Sequence, residues 1–195
     1  MRTGTAARKT SETDVKVAIN LDGSGVCDTK TGVGFLDHML SLFSRHGRFD
    51  LTVECRGDTA VDDHHSVEDV GICLGAAFST ALGDKSGINR YGHSVIPMDE
   101  SLVMTAVDIS GRAFLAFSVE LPAGKVGTFD TELVKEFLLG FVRKAEVTLH
   151  VKQLAGENTH HIIEAIFKSL ARSLRDASSV DATLGGEIPS TKGVL

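Results

Sequence analysis

Residues Val61–Gly71 read VDDHHSVEDVG, and residues Thr159–Ala165 read THHIIEA. Both contain HHxxE, as His64, His65 and Glu68 in the first and His160, His161 and Glu164 in the second. Each motif opens a run with helical spacing of apolar residues: Val67, Val70, Leu74, Phe78 and Ala81 in one, Ile163, Ile166, Phe167, Leu170 and Leu174 in the other. The segments upstream repeat too. Alternating Val15, Val17, Ile19 and Leu21 predict a strand, Leu36, Met39, Leu40 and Phe43 a short helix closed near Gly47, and Phe49, Leu51, Val53 and Cys55 another strand. Later, SLVMTAVDISGRAFLAFSVEL (101–121) is strand-like with a turn at ISGR. DTELVKEFLLGFVRK (130–144) is helical, and VTLHVKQL (147–154) alternates again. An internal duplication explains the matching order. The expected fold is α/β (α+β): one unit over residues 1–195, built from two β-α-β-α halves at about 9–88 and 94–182 that pack about a pseudo-twofold axis.

The duplication also carries chemistry. His38 and Glu136 lie on the short helix that precedes the motif in each half, which brings the candidate metal ligands to His38, His64, His65, Glu68, Glu136, His160, His161 and Glu164. On a helix, residues four apart share a face, while neighbours point about 100° apart. His64 therefore goes with Glu68 and His160 with Glu164, and His65 and His161 look elsewhere. The simplest symmetric arrangement is two crossed sites: His38, His65, His160 and Glu164 in one, His64, Glu68, Glu136 and His161 in the other. A single HH near a helix start is ordinary capping and solvation; two copies at matching places favour metal. Imidazole and carboxylate without thiolate suit Mn²⁺, Fe²⁺ or Zn²⁺.

Composition narrows the class. At 195 residues and 42% hydrophobic content the chain can bury a real core, and a formal net charge of −6 argues against a nucleic-acid partner. The N-terminus MRTGTAARKT lacks an apolar leader core and no window is apolar enough to span a membrane, so a cytoplasmic location is expected. Cys27, Cys55 and Cys73 form no CxxC pair and read as reduced structural thiols.

Basic groups supply an anion site. Lys168 continues the stripe of His160 and Glu164, and Arg172 extends it; Arg90 and Arg112 adjoin glycine-containing turns, and the tail IPSTKGVL offers Ser190 and Lys192. Taken singly, each reads as a solvated surface charge. By position His46 shares a face with His38, His93 reads as a loop residue, His150 as a packed or surface histidine, and Glu12 as a loop acid.

The ordered motifs GVGFLDHML, DDHHSVEDVGICLG, RYGHSVIPMDE, DISGR, KVGTFDTELVKEF, THHIIEAIFKSLAR and PSTKGVL cover essentially the whole chain and resemble the imidazoleglycerol-phosphate dehydratase family of histidine biosynthesis. That family carries His or Glu where this chain has Glu136. The resemblance implies two Mn²⁺ ions per site and dehydration of D-erythro-imidazole-glycerol phosphate to imidazole-acetol phosphate. It also implies a small sheet with helices on one face in each half, and a homo-oligomer of 24 chains with sites at subunit contacts. By the same carry-over, Glu12, His38, His46, Arg90, Arg112, Lys168, Ser190 and Lys192 contact substrate, so the tail 183–195 contributes to the site.

The chemistry fits such ligands. The proton to be removed sits on a carbon with no adjacent carbonyl, so the substrate's imidazole must accept the charge. Metal on a ring nitrogen eases ionisation to imidazolate, which can expel the C3 hydroxyl through a diazafulvene-like intermediate. Glu12, Glu164 and His65 are the candidate catalytic groups for proton movement. Two other readings compete: a binuclear hydrolase of phosphate esters, and a metal-storing protein of the ferritin-like kind, whose ExxH helix pattern is the reverse of this one.

Overall fold

A computed structural model describes residues 1–195. Its first half runs β1 (Thr3–Lys9), β2 (Thr13–Asn20), β3 (Cys27–Lys30), α1 (Gly34–Gly47), β4 (Asp50–Gly57) and α2 (His64–Leu82). The second runs β5 (Tyr91–Met98), β6 (Ser101–Asp108) and β7 (Phe114–Ser118), then a small hairpin of β8 (Lys125–Val126) and β9 (Phe129–Asp130). It ends with α3 (Leu133–Ala145), β10 (Thr148–Ala155) and α4 (Thr159–Ser178). The sheets have matching orders, β1-β2-β4-β3 and β5-β6-β10-β7. In each, one edge pair is parallel, β3 with β4 and β7 with β10, and the rest are antiparallel.

The expected β-α-β-α order is present as β2-α1-β4-α2 and β6-α3-β10-α4; β7 is the strand expected after the ISGR turn, and β1, β3 and β5 are additional edge strands. Each half also starts earlier than alternation indicated, at Thr3 and Tyr91. Edge strands have physical reasons to escape a periodicity reading. β1 buries only Gly4, β3 is four residues long, and β5 contains Pro97, which an edge tolerates. His93, expected in a loop, lies on β5.

Alternation places Val15, Val17 and Ile19 of β2, and Val103 and Val107 of β6, on the buried face. Helices α1 and α2 cover the first sheet, α3 and α4 the second, and the two helical layers meet as α2 against α3 and α1 against α4. Exchanging the halves maps one contact onto the other. A single cluster of 45 buried hydrophobic residues runs through all layers, with Phe43, Phe49, Phe78, Phe137, Phe141 and Phe167 at its centre. Truncating such a phenylalanine to alanine costs about 3–5 kcal/mol. Glycines allow the closest approaches: a Cβ on Gly71 of α2 would stand 2.4 Å from the Phe137 carbonyl oxygen of α3. On Gly4 or Gly92 it would stand 2.0 Å from the carbonyl oxygen of Ala77 or Ser173.

Candidate metal centre

The side chain of Asn158, at the N-cap of α4, accepts from the backbone N–H groups of His160 (3.0 Å) and His161 (3.3 Å). This fixes the start of the helix and aligns His160, Glu164 and Lys168 along one face. His160 Nε2 lies 3.2 Å from Glu164 Oε1, and His38 reaches the same oxygen from α1, at 2.9 Å. Lys168 Nζ donates to Glu164 Oε2 at 2.6 Å. Phe35 sets its edge against the His160 ring at 5.2 Å.

The donor atoms of His38, His160 and Glu164 all fall within 4.8 Å of one another. A first-row divalent ion with bonds of about 2.0–2.2 Å puts adjacent ligands about 3 Å apart. The two N···O separations, 2.9 and 3.2 Å, match that spacing, so these residues fit a metal. Burial pushes the Glu164 carboxyl up, but hydrogen bonds from Lys168 and His38, the lysine charge and the His160 bond outweigh it and bring its pKa down to about 2. A permanently ionised carboxylate is a ready ligand.

The other copy is looser. His64 Nε2 and Glu68 Oε2 stand 3.9 Å apart, and Arg143 from α3 lies 3.9 Å from the other Glu68 oxygen. Glu136, in the first turn of α3, is half-buried, and its carboxylate does not close with His64 and Glu68 as His38 closes with its partners. The crossed assignment also asked His65 and His161 to join these groups, and within one chain they do not. His65 Nδ1 is held by Asp58 at 3.1 Å, with Glu12 Oε2 3.9 Å from its Nε2. His161 Nδ1 is held by Glu100 at 2.7 Å. Hydrogen bonding to Asp58 raises the pKa of His65, and bonding to Glu100 raises that of His161.

Of the residues expected to hold phosphate, Arg90, Arg112, Ser190 and Lys192 gather, whereas Lys168 stands apart from them on Glu164. Arg90 donates from Nε to Asp108 at 2.8 Å and from Nη1 to the Pro189 carbonyl at 2.9 Å, which ties the tail down beside Ser190. Arg112 Nη2 lies 3.8 Å from the same Asp108, Nη1 donates to the Ser110 carbonyl at 3.3 Å, and the rest of the side chain is exposed. Lys192 is exposed, and its N–H donates to Ser190 Oγ at 3.2 Å. His46, in the last turn of α1, has its pKa lowered by burial and then by the charges of Lys168 and Arg172. His150 is exposed on β10. Asp58, Glu100 and Asp108 escaped sequence reading because an acid in or beside a turn reads as solvated. Aligning the halves would have signalled one of them: Glu12 and Glu100 each directly precede the corresponding strand, β2 or β6.

The two groups lie at opposite ends of one element. Arg90 N–H donates to the Ala177 carbonyl near the end of α4, whereas Glu164 is in its second turn. At about 1.5 Å per residue that interval is about 20 Å. β6 also separates the two ends: Glu100, which holds His161, precedes its first residue and Asp108 is its last, about 26 Å apart at about 3.3 Å per residue.

Known proteins agree with this architecture. The family model described as imidazoleglycerol-phosphate dehydratase matches residues 31–174. The enzyme of that name from Jannaschia sp. is 58% identical over 195 residues, covering 100% of both chains. That from Desulforamulus reducens is 60% identical over 188 residues, covering 96% of this chain and 95% of its own. The crystal structure from Staphylococcus aureus superposes with a TM-score of 0.84 at 43% identity, covering 92% of this chain and 99% of that one. The Pyrococcus furiosus structure gives 0.84 at 37%, covering 97% and 100%. None of the four helices is long and apolar enough to cross a membrane.

Proposed function

This chain belongs to the imidazoleglycerol-phosphate dehydratase family of histidine biosynthesis, and on that premise we propose that its two HHxxE motifs hold two Mn²⁺ ions per site, where the substrate imidazole binds as imidazolate. The product is imidazole-acetol phosphate, formed by loss of the C3 hydroxyl and the C2 proton as water. The observation that carries the proposal is the spacing of the His38, His160 and Glu164 donors, at 2.9 and 3.2 Å.

When bound, the ions would polarise the ring and favour its ionised form. His38, His160 and Glu164 would hold one ion, with Lys168 fixing the far oxygen of Glu164. His64, Glu68 and Glu136 provide the corresponding set for the other, and His65 and His161 complete the two. Glu12 stands on the Nε2 side of His65 with its carboxylate exposed, which suits it to carry a proton to or from substrate. Arg90, Arg112, Ser190 and Lys192 would clamp the phosphate. The three carbons between ring and phosphate are too short to join groups about 20 Å apart on one α4. Each site is therefore shared between subunits, in line with a homo-oligomer of 24 chains, and the enzyme works in the cytoplasm.

Three measurements test this. Protein freed of metal, reloaded with Mn²⁺ and given D-erythro-imidazole-glycerol phosphate should yield a ketone-bearing phosphate and no inorganic phosphate. Release of inorganic phosphate would instead mark a hydrolase. The assembly's mass in solution checks the chain number. Mixing inactive His160→Ala and Arg112→Ala subunits should restore about a quarter of wild-type activity if each site takes one group from either chain; sites confined to single chains would stay inactive.

A further inference from the structure

We infer that Asp58 and Glu100 are positioning residues, which bind Nδ1 of His65 and His161 so that both rings present a bare Nε2. The inference rests on the metal reading above and concerns how two of its ligands are aimed. An imidazole that donates Nδ1–H to a carboxylate keeps its lone pair on Nε2, and only the nitrogen with the lone pair can bind a cation.

The geometry is the same in both halves, although the residues are not equivalent. His161 Nδ1 is 2.7 Å from Glu100 Oε2, and His65 Nδ1 is 3.1 and 3.2 Å from the two Asp58 oxygens. Each ring has its other nitrogen turned to the open side: His161 Nε2 lies 3.8 Å from exposed Asp99, and His65 Nε2 3.9 Å from exposed Glu12. Glu100 is itself fixed, because its Oε1 accepts from Ser101 Oγ at 2.9 Å and from the Asn158 backbone N–H at 2.9 Å. Since Asn158 caps α4, one carboxylate ties the start of the helix and the His161 ring to the β5–β6 turn.

The repeat shows why two different acids are needed. Glu12 occupies in the first half the place that Glu100 occupies in the second, yet it leaves Nδ1 of its histidine alone. Asp58, arriving from the end of β4, takes that contact. The substitution leaves Glu12 free on the outer side of His65, where substrate chemistry is proposed, while Glu100 is committed to holding a ring.

Glu100→Gln is the decisive variant. Its amide oxygen can still accept from Asn158 and Ser101, whereas its NH₂ faces His161 Nδ1 and forces that nitrogen to accept. Long-range ¹⁵N–¹H correlation spectra of the metal-free particle, at a pH where the rings are neutral, report the tautomers directly. Wild type should show Nδ1–H for His65 and His161. Glu100→Gln should turn His161 to Nε2–H, and Asp58→Ala, which removes the acceptor altogether, should let His65 return to Nε2–H, each with Mn²⁺ affinity down about 10–100-fold; Glu100→Gln should leave the melting temperature unchanged. If neither tautomer nor affinity moves while His160→Ala still loses the one ion assigned to it, the metal reading stands and the positioning role is wrong. A wild-type protein that binds no divalent ion overturns both.

Discussion

The HHxxE of α4 and the HHxxE of α2 share a pattern and differ in how the glutamate is supported. In α4 the glutamate is buried, His38 crosses from α1 to its Oε1, and Lys168 grips its Oε2. In α2 the position matching Lys168 is Ile72, Glu68 is one-third exposed, and its nearest charged neighbours stand at 3.9 Å. The duplication kept the donor types and let the supports diverge. In one copy three donors close on one another within the chain, and in the other they stand apart.

The comparison breaks most directly at its best-formed point. His160→Ala removes a donor from the closed cluster and should weaken Mn²⁺ binding by more than about 100-fold, with activity lost. His64→Ala should remove a second, separable class of ion, resolved in a competitive metal titration. Equal loss of both ions in either variant would show that the copies are not independent.

Lys168→Ala tests the support rather than the ligand. The donors remain, so Mn²⁺ binding should hold within a few-fold while KM rises; metal release would sink this division of roles. The pH dependence follows from Glu164, whose folded pKa of about 2 lies below its ordinary 4.5. Its ionised form therefore stabilises the fold above about pH 4.5, and that contribution fades as pH falls towards 2. Metal-free Lys168→Ala should melt below wild type at pH 7, with the gap closing on acidification.

The helix contacts give smaller effects. Gly71→Ala drives a methyl against the Phe137 carbonyl and should cost about 1–3 kcal/mol in denaturant unfolding. Smaller still is a contrast beneath the sheets. Ser94, Thr105, Ser169 and Ser173 form a hydroxyl network under the second sheet, with Thr105 Oγ1 2.8 Å from Ser169 and 2.7 Å from Ser173. The matching positions of the first half are Ala6, Val17, Cys73 and Ala77. Ser173→Ala alone should cost about 1 kcal/mol. Replacing all four hydroxyl residues with their first-half counterparts should come close to neutral, because no partner is left unsatisfied.

Much of this was legible in advance. Alternation found β2, β4, β6 and β10, the strand-like stretch beyond the ISGR turn found β7, helical spacing found all four helices, and the spacing of four placed His160 beside Glu164. Sequence failed where the determinant is not local. β1, β3 and β5 pair at edges with little to bury, and Gly4 counts as core only because the α2 backbone lies over it. Which acid meets which histidine depends on turns that return from elsewhere, so Asp58 and Glu100 carried no signature of their own. The crossed assignment required contacts that one chain does not make, and a repeat cannot say whether its symmetric partner lies in the same molecule.

The central double layer of helices bears on how such a chain could arise and fold. Each half turns its apolar helices towards the other, so neither owns a finished surface, and a half-length ancestor would have needed a twin. In the present protein the 45-residue core straddles the join. Unfolding should then be one calorimetric event rather than two. A chain cleaved between the halves, around residues 83–90, should remain folded only while its fragments stay bound to each other.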